Sequence, residues 1–376
     1  MTVMARRHPA WIAAVAVCLV VIVGLFAEVG RRGWQELSGE IAQARSERQG
    51  VRYLHPMISL VGELVEAQSA AVRGNPLDAT AVRTAMDGVA TVDAQVGADL
   101  GVRQRFADLR AKVEVALAEP GSGRPAYLTF SDIVALAVDL LHRAGGNSEL
   151  IHQEGLDAYY VMDAVMFRLP EAIVLSGRTA DLVALAGDQQ LAGDDSIRAA
   201  VARFGVATAG EEVTAGLNKS VDSTERTELG TNVAARLDAF RAAVDAFAPP
   251  TMVAQLAGTV DAAQLARGAE AVFTAALPLA HRLLSELDGL LGTWEDELVG
   301  ERQFIGVAMA VAAGTILLLL LLVRRRRRPD EQPGSTDDAR TEAVVADVRR
   351  LFAADELAAA GTATSARPTR EHGDAG

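Results

Sequence analysis

Two long apolar stretches limit what this chain can fold into. Ala10–Ala27 is a run of 18 residues without a charge, and Phe304–Val323 is a second run of 20. As an α-helix, the second run is about 30 Å long, which matches the hydrocarbon core of a bilayer. We therefore predict that both runs are transmembrane helices and that they bracket the large segment between them.

The first run has an alternative interpretation as a cleaved signal peptide. The exit sequence ending at Ala27 places Leu25 where the peptidase requires a small residue, and Val17 before Cys18 is unsuitable for lipoprotein processing. We favour an uncleaved anchor, and the signal peptide stays open as the alternative.

Arginine placement predicts the orientation in the membrane. Arg6-Arg7 precede the first run, and five consecutive arginines, Arg324–Arg328, follow the second. Because cytoplasmic flanks are rich in basic residues, we expect both termini in the cytoplasm of a bacterium, although Arg31-Arg32 oppose this order. The predicted segments are a cytoplasmic N-terminus (1–9), a transmembrane helix in the plasma membrane (10–27), an extracytoplasmic domain (28–303), a second transmembrane helix (304–323) and a cytoplasmic tail (324–376).

The second run carries small residues on one helix face. Gly306, Ala310 and Gly314 are spaced four residues apart, and small residues at this spacing let two helices approach closely in lipid. The alternative is a chance cluster in an alanine-rich span. We also expect the chain to form a homodimer.

The segment between the runs is predicted to be all-α, as an antiparallel bundle or as two stacked bundles. Its apolar residues recur at intervals of four and three, and no stretch alternates with a period of two. The seam residues are Leu54, Ile58, Val61, Val65, Gln68 and Val72, and in the next helix Phe106, Leu109, Val113 and Leu117. The predicted breaks are 74–76, 120–123, 145–147, 187–194 and 249–250, and the predicted N-caps are Asp78 or Thr80, Ser131 and Ser196.

Composition argues against several functions. Residues 28–303 contain 39 acidic and 24 basic residues, a net charge of −15, which disfavours nucleic-acid binding. The single cysteine and the wide spacing of the six histidines predict no metal site, and we expect no cofactor. Because motifs of serine hydrolases, phosphate-binding loops and zinc proteases are absent, we do not expect an enzyme.

Three stretches resemble a known family. They are Gly50–Pro56 (GVRYLHP), which is predicted to open the first long helix, then Leu150–Asp163 (LIHQEGLDAYYVMD) followed by Arg168–Glu171 (RLPE), and last Phe273–Leu291, which leads into the second apolar run. Their order is similar to the extracytoplasmic helical sensory region of bacterial methyl-accepting chemotaxis proteins, sensor histidine kinases and diguanylate cyclases. The resemblance covers roughly residues 47–320 and implies a sensory input. Those receptors continue into a signalling output, whereas only 53 residues follow Val323 here and none of them carries an output motif.

The same stretches contain candidates for a ligand site. Tyr160 and Asp163 lie about one helical turn apart and share a face, and arginine and tyrosine side chains suit a small carboxylate or another oxyanion. The alternative is that the tyrosines are core residues, that Asp163 and Arg168 form a surface pair, and that the histidine only packs. Pro170 is expected to kink the helix. The candidate ligand-binding residues are Tyr53, His55, Tyr159, Tyr160, Asp163 and Arg168.

The sequence of the tail predicts one contact with lipid headgroups and one with a cytoplasmic partner. Arg324, Arg325, Arg326, Arg327 and Arg328 are expected at the lipid headgroups, where each is worth about 1 kcal/mol. Asp337–Leu357 is predicted to be one amphipathic helix, whose acidic polar face is unsuited to a membrane surface. We expect its apolar stripe to dock a cytoplasmic partner through Val344, Val348, Leu351 and Phe352.

Two functions are compatible with these features. The first is a membrane-anchored receptor that senses a small molecule or an envelope state and signals through a separate cytoplasmic protein. The second is a tether or scaffold whose helical domain binds envelope components without signalling. The resemblance favours the receptor, and the missing output favours the tether.

Overall fold

The computed structural model describes residues 9–150, 156–187, 191, 193–223, 227–249 and 261–326, and these residues contain helices and no strand. The prediction of an all-α chain is confirmed for this part. A π-helical segment, Ala164–Arg168, joins α5 to α6. The α-helices are α1 Pro9–Val72, α2 Ala79–Val96, α3 Arg103–Ala118, α4 Gly123–Asn147, α5 Leu156–Asp163, α6 Leu169–Ala186, α7 Gly193–Ser223, α8 Thr227–Phe247 and α9 Ala262–Arg326.

Most predicted breaks and one predicted cap are confirmed. The chain leaves the helical conformation between Val72 and Ala79, and the Asp78 carboxylate accepts the backbone N–H groups of Thr80 and Ala81 at 3.0 Å. The prediction for Ser131 is wrong because it lies inside α4, where its hydroxyl donates to the Gln68 amide oxygen. Ser196 also lies inside its helix, three residues after the start of α7.

The first helix is longer than the sequence predicts. Gly50–Pro56 was expected to open a helix, but these residues lie within α1, which begins at Pro9 and contains Pro56 in its interior. The seam from Leu54 to Val72 is buried as predicted. In the described part of the chain, the buried side chains form one large cluster to which all nine α-helices contribute, together with two small clusters.

Helices α1 and α9 pack side by side in opposite directions. Arg45 on α1 donates to Glu295 on α9 at 2.8 Å. Further along α1, the His55 ring stacks on His281 with centroids 5.7 Å apart, and the Ser59 hydroxyl lies 3.2 Å from His281 Nε2. Residue numbers fall along α9 as they rise along α1, so the pairing is antiparallel.

Outside the main core, α1 and α9 form a two-helix stalk, defined as residues 28–48 of α1 and 288–309 of α9. Its small core consists of buried Leu37, Ile41, Ala44 and Leu298, with no contribution from another helix of the described chain. Arg48 links the two helices of the stalk through Glu295 at 2.8 Å and Asp288 at 3.3 Å.

Helix α6 packs tightly on α1. A Cβ atom added to Gly177 would lie only 2.3 Å from Val65 Cγ1, so any larger residue would push the two helices apart. One turn later, the buried Asp181 carboxylate accepts hydrogen bonds from the Gln68 amide and the Ser69 hydroxyl, both at 2.6 Å. Burial raises the pKa of Asp181, although both donors oppose the shift.

Two helices of the described chain are long and apolar enough to cross a membrane, namely α4 and the Ala262–Leu318 part of α9. In α4, 44% of the apolar window is buried inside the protein, as in a core helix, whereas none of the window in α9 is buried. Backbone contacts divide the chain into units that meet between Met309 and Ala310. The second unit is described only to Arg326, where it is helical and exposes Val311, Leu317, Leu318 and Leu321.

Candidate functional site

A cleft of about 720 Å³ separates α4 from the segment that runs from the end of α5 into α6. Its α4 wall alternates between small apolar residues and polar ones. The opposite wall carries an aromatic ring, two arginines and two carboxylates. The lining residues are Ala135, Val138, Asp139 and His142 from α4, and Asp163, Phe167, Arg168, Pro170, Glu171, Val174, Leu175 and Arg178 from the other wall.

A π-helical turn shapes one end of this cleft. Pro170 has no N–H, so the carbonyl of Met166, four residues earlier, cannot make its usual helical hydrogen bond. The chain widens here, and the Leu169 N–H donates to the carbonyl of Ala164 five residues back. The kink predicted at Pro170 is therefore a local π-helical segment within a continuing helix.

His142 supplies the donor that Pro170 lacks. Its ring makes a hydrogen bond with the Met166 backbone and packs on Phe167 with centroids 4.9 Å apart. The other ring nitrogen, Nε2, is buried and has no hydrogen-bond partner among the described residues. Burial lowers the pKa of His142, although Met166 and Asp139 oppose the shift, so the imidazole is neutral at pH 7.

The two arginines of the cleft have different surroundings. Arg168 donates to Asp163 at 3.1 Å and lies 2.6 Å from Glu212 on α7. Arg178 forms no ion pair with any described residue, and its Nε is buried without a hydrogen-bond partner. Carboxylates therefore neutralise the positive charge of Arg168, whereas no described residue forms an ion pair with Arg178.

The remaining carboxylates lie on the α4 wall and at the start of α6. Asp139 accepts from Arg105 at 2.8 Å. Burial raises the pKa of Glu171, a shift that Arg168 opposes and Glu212 reinforces. Glu171 and Arg178 are seven residues apart on one face of α6, with Val174 and Leu175 between them. This face presents a carboxylate, an apolar patch and a guanidinium in that order.

The predicted residues of the first helix do not line this cleft. Tyr53 is fully buried, and its hydroxyl lies 3.2 Å from Asp93 Oδ1 on α2, while burial raises its pKa. His55 packs against His281 in the α1–α9 pair, and burial lowers the pKa of both rings. Both residues therefore join helices within the core.

The predicted tyrosine pair lies beside α7. The rings of Tyr159 and Tyr160 meet edge to face with centroids 5.4 Å apart, and the Lys219 ammonium lies 5.4 Å from the centre of the Tyr160 ring. Tyr159 is 42% exposed, so the alternative of two core tyrosines is wrong for it. Asp163 and Arg168 are the predicted residues that line the cleft, and they form the expected pair.

The structure describes the predicted small-residue face of the second apolar run, but not the predicted contacts of the tail. A Cβ atom at Gly306 would lie 3.1 Å from the Trp34 ring of α1, so this glycine allows a close approach of α1 to α9. Ala310 and Gly314 are exposed. The side chains of Arg324, Arg325 and Arg326 and all of Arg327, Arg328, Val344, Val348, Leu351 and Phe352 lie outside the described residues.

Sequence reasoning missed His142, Phe167 and Arg178. A signal for Arg178 was present, because it is the sole basic residue of α6. The role of His142 depends on a backbone carbonyl 24 positions away, which no local pattern marks. In the described part of the chain, no group of three or more His, Cys, Asp or Glu side chains is arranged to hold a metal ion.

The chain matches no family model, no curated protein and no solved structure. The resemblance to bacterial sensory regions therefore stays a prediction from the three sequence stretches that carry it.

Proposed function

We propose that the chain is a membrane-anchored sensory protein that detects a small molecule or an envelope state and signals through a separate cytoplasmic partner. The observation that supports this most is the continuity of α1 and α9. Each is a single helix of more than 60 residues that contributes to the main core and extends beyond it through the stalk. A change in the core can therefore reach the stalk along two helices that continue without a break.

The proposed topology places Ala10–Ala27 and Phe304–Val323 in the plasma membrane, with both termini in the cytoplasm. Exposed apolar side chains support this proposal. Leu25, Phe26 and Val29 on α1 are each more than 60% exposed, and so are Phe304 and Val307 on α9. Lipid would cover side chains that no other described residue covers.

Helix α6 provides a route from the cleft to the stalk. One face of α6 carries Glu171 and Arg178 on the cleft wall, and the adjacent face carries Gly177 and Asp181 in contact with α1. Because Gly177 is packed tightly against Val65, a small rotation of α6 must be accommodated by α1. This arrangement supports a sensory domain in which an occupied cleft shifts α1 relative to α9.

Co-purification from the native host tests this function. The full-length protein is compared with a 1–328 truncation and with the double variant Val348→Asp, Leu351→Asp. The expected result is recovery of a kinase, a cyclase or a chemotaxis-type protein with the full-length chain, and its loss with both altered forms. Equal recovery by all three forms would contradict a signalling partner that docks on the tail.

A tether is the second candidate, and one surface of α7 favours it. Ile197, Val201 and Phe204 follow each other at helical spacing, and each is more than 60% exposed. An apolar stripe of this kind suits a protein partner. Loss of recovered envelope proteins in Val201→Glu, with the 1–328 truncation still recovering them, would support the tether over the receptor.

A further inference from the structure

The α4–α6 cleft contains an arginine, Arg178, that forms no ion pair with any residue in the described part of the chain. The acid nearest to Arg178 along α6 is Asp181, but its carboxylate is bound to Gln68 and Ser69 of α1. Arg168 shows that this region can neutralise an arginine, since two carboxylates bind it. A partly buried guanidinium with an unpartnered Nε is costly to keep in a fold, and an anionic ligand would relieve that cost.

The middle of the cleft is apolar. Its lining includes Val138 on α4, Val174 and Leu175 on α6, and Phe167 of the π-helical segment. With a volume of about 720 Å³, the cleft is in the size range of small-molecule sites. A ligand that fills it therefore needs an apolar body next to its anionic group.

The end of the cleft away from Arg178 disfavours a second negative charge. Glu171 lies there without an ion-pair partner in the described part of the chain, and Asp163 is already bound to Arg168. His142 is neutral at pH 7 and offers no compensating charge. A dicarboxylate would place one carboxylate near Glu171, where repulsion opposes it.

We propose that this cleft binds a small monocarboxylate with an apolar body, whose carboxylate pairs with Arg178. The proposal deepens the sensory function proposed above and rests on it. Arg178 is the group that binds the anion, Val174 and Leu175 contact the apolar body, and Glu171 selects against dianions. The planar guanidinium suits a carboxylate, since it can donate two parallel hydrogen bonds.

Calorimetric titration of the full-length protein in nanodiscs tests the site. The probes are isovalerate, phenylacetate and indole-3-acetate, the amide of each acid, and the dianion 1,4-phenylenediacetate. The expected result is binding of at least one monocarboxylate, with its amide and the dianion at least about tenfold weaker, as the loss of a charge-assisted bidentate contact implies. Absence of binding by all three acids, or equal binding of acid and amide, would overturn the proposal.

Three variants locate the site within the chain. Arg178→Met keeps an unbranched side chain and should weaken the monocarboxylate at least about tenfold. The matched control is Arg143→Met, an exposed arginine of α4 outside the cleft, which should bind as the unaltered protein does. Glu171→Gln should reduce the preference for the monoanion over the dianion. Unchanged binding in Arg178→Met, with helicity retained, would overturn the proposal.

The outcome separates the site from the sensory function. The 1–328 truncation should bind the monocarboxylate as the full-length chain does, because the tail does not contribute to the cleft. Carboxylate binding without a tail-dependent partner would support the proposed site and contradict the proposed signalling function. A tail-dependent partner without carboxylate binding would support the proposed sensory function and contradict the proposed site.

Discussion

The two-helix stalk and the α4–α6 cleft use arginine in opposite ways. In the stalk, Arg45 and Arg48 both donate to Glu295 at 2.8 Å, so each positive charge fixes α1 against α9. In the cleft, Arg178 has a buried Nε with no partner in the described chain. A paired arginine contributes to structure, whereas an unpaired buried one is kept at a cost in stability. That contrast is the main reason to look for function in the cleft and for mechanical connection in the stalk.

The two regions also differ in the size of their cores. The stalk has a cluster of four buried apolar residues of its own, all from α1 and α9. The walls of the cleft belong to helices of the main cluster, which contains more than 60 buried residues. Each buried side chain therefore matters more to the local stability of the stalk than to that of the cleft.

The largest expected effect tests whether the stalk can unfold locally while the main core stays folded. Ile41 is 1% exposed, and Ile41→Ala should cost about 2–4 kcal/mol through lost burial and a cavity. Hydrogen exchange read by mass spectrometry should show lost protection in 28–48 and 288–309 with little change in α4 and α6. The control variant is Glu40→Ala, which changes the exposed residue next to Ile41 and should leave protection in the stalk unchanged. Equal loss of protection in α4 would show that the stalk and the core unfold together.

The second effect isolates the hydrogen bond at the π-helical segment. His142→Phe keeps a ring against Phe167 but leaves the Met166 carbonyl without its donor, which should cost about 1–3 kcal/mol. Chemical denaturation of both proteins at pH 7.5 gives the difference. Equal stability would indicate that Met166 finds another donor.

This difference should depend on pH with a defined sign. The pKa of His142 is lowered in the folded state from its ordinary 6.5, mainly by burial, so the unfolded chain takes up a proton first on acidification. The stability of the native protein relative to His142→Phe should therefore be full above pH 6.5 and decrease as the pH falls through the lowered value. A difference that grows on acidification would contradict the assignment of a neutral ring.

The third effect has the opposite sign. Arg178→Met removes an unpartnered guanidinium and retains apolar volume, so it should raise the free energy of unfolding by about 1 kcal/mol. Arg143→Met, on the exposed face of α4, should change it little. Thermal unfolding without ligand provides the comparison. A lower Tm for Arg178→Met would mean that this arginine has a stabilising partner in the empty cleft.

The smallest expected effect sharpens the contrast within the stalk. Arg48→Met breaks the contacts with Glu295 and Asp288, but the arginine side chain is 37% exposed and water screens the pair. We expect a loss of less than about 1 kcal/mol, reduced further by salt. Thermal unfolding at low and high ionic strength measures both. A loss independent of salt would indicate that packing of the arginine stem dominates over its charge.

Much of the fold could be predicted from local pattern. Pro and Gly mark the ends of helices because they lack a donor or permit turns, and the 54–72 seam is buried because its spacing matches one helix face. The length of α1 could not be predicted in the same way. Gly50–Pro56 was predicted to open the first long helix, but α1 begins at Pro9 and continues through Pro56 to Val72.

The site was harder to predict because its properties depend on partners far away in the sequence. Asp163 and Arg168 could be paired from their spacing, but Glu212, which completes the neutralisation of Arg168, lies on α7. Tyr53 and His55 were predicted as site residues, but the Tyr53 hydroxyl contacts Asp93 and the His55 ring stacks on His281 inside the helix bundle. Whether an arginine is free or occupied is a property of the packed structure.

The π-helical segment at Ala164–Arg168 also has a consequence for which changes the chain tolerates. Such a turn holds one residue more than an α-helical turn. Each residue of an α-helix advances by about 100°, so this extra residue sets the rotational phase of everything downstream. Deletion of one residue here would rotate α6 by about 100° relative to α5, and it would turn Arg178 away from the cleft and Asp181 away from α1 together. The rotational phase of α6 thus sets the positions of Arg178 and Asp181 together. An insertion or deletion before α6 cannot move one of these side chains without moving the other.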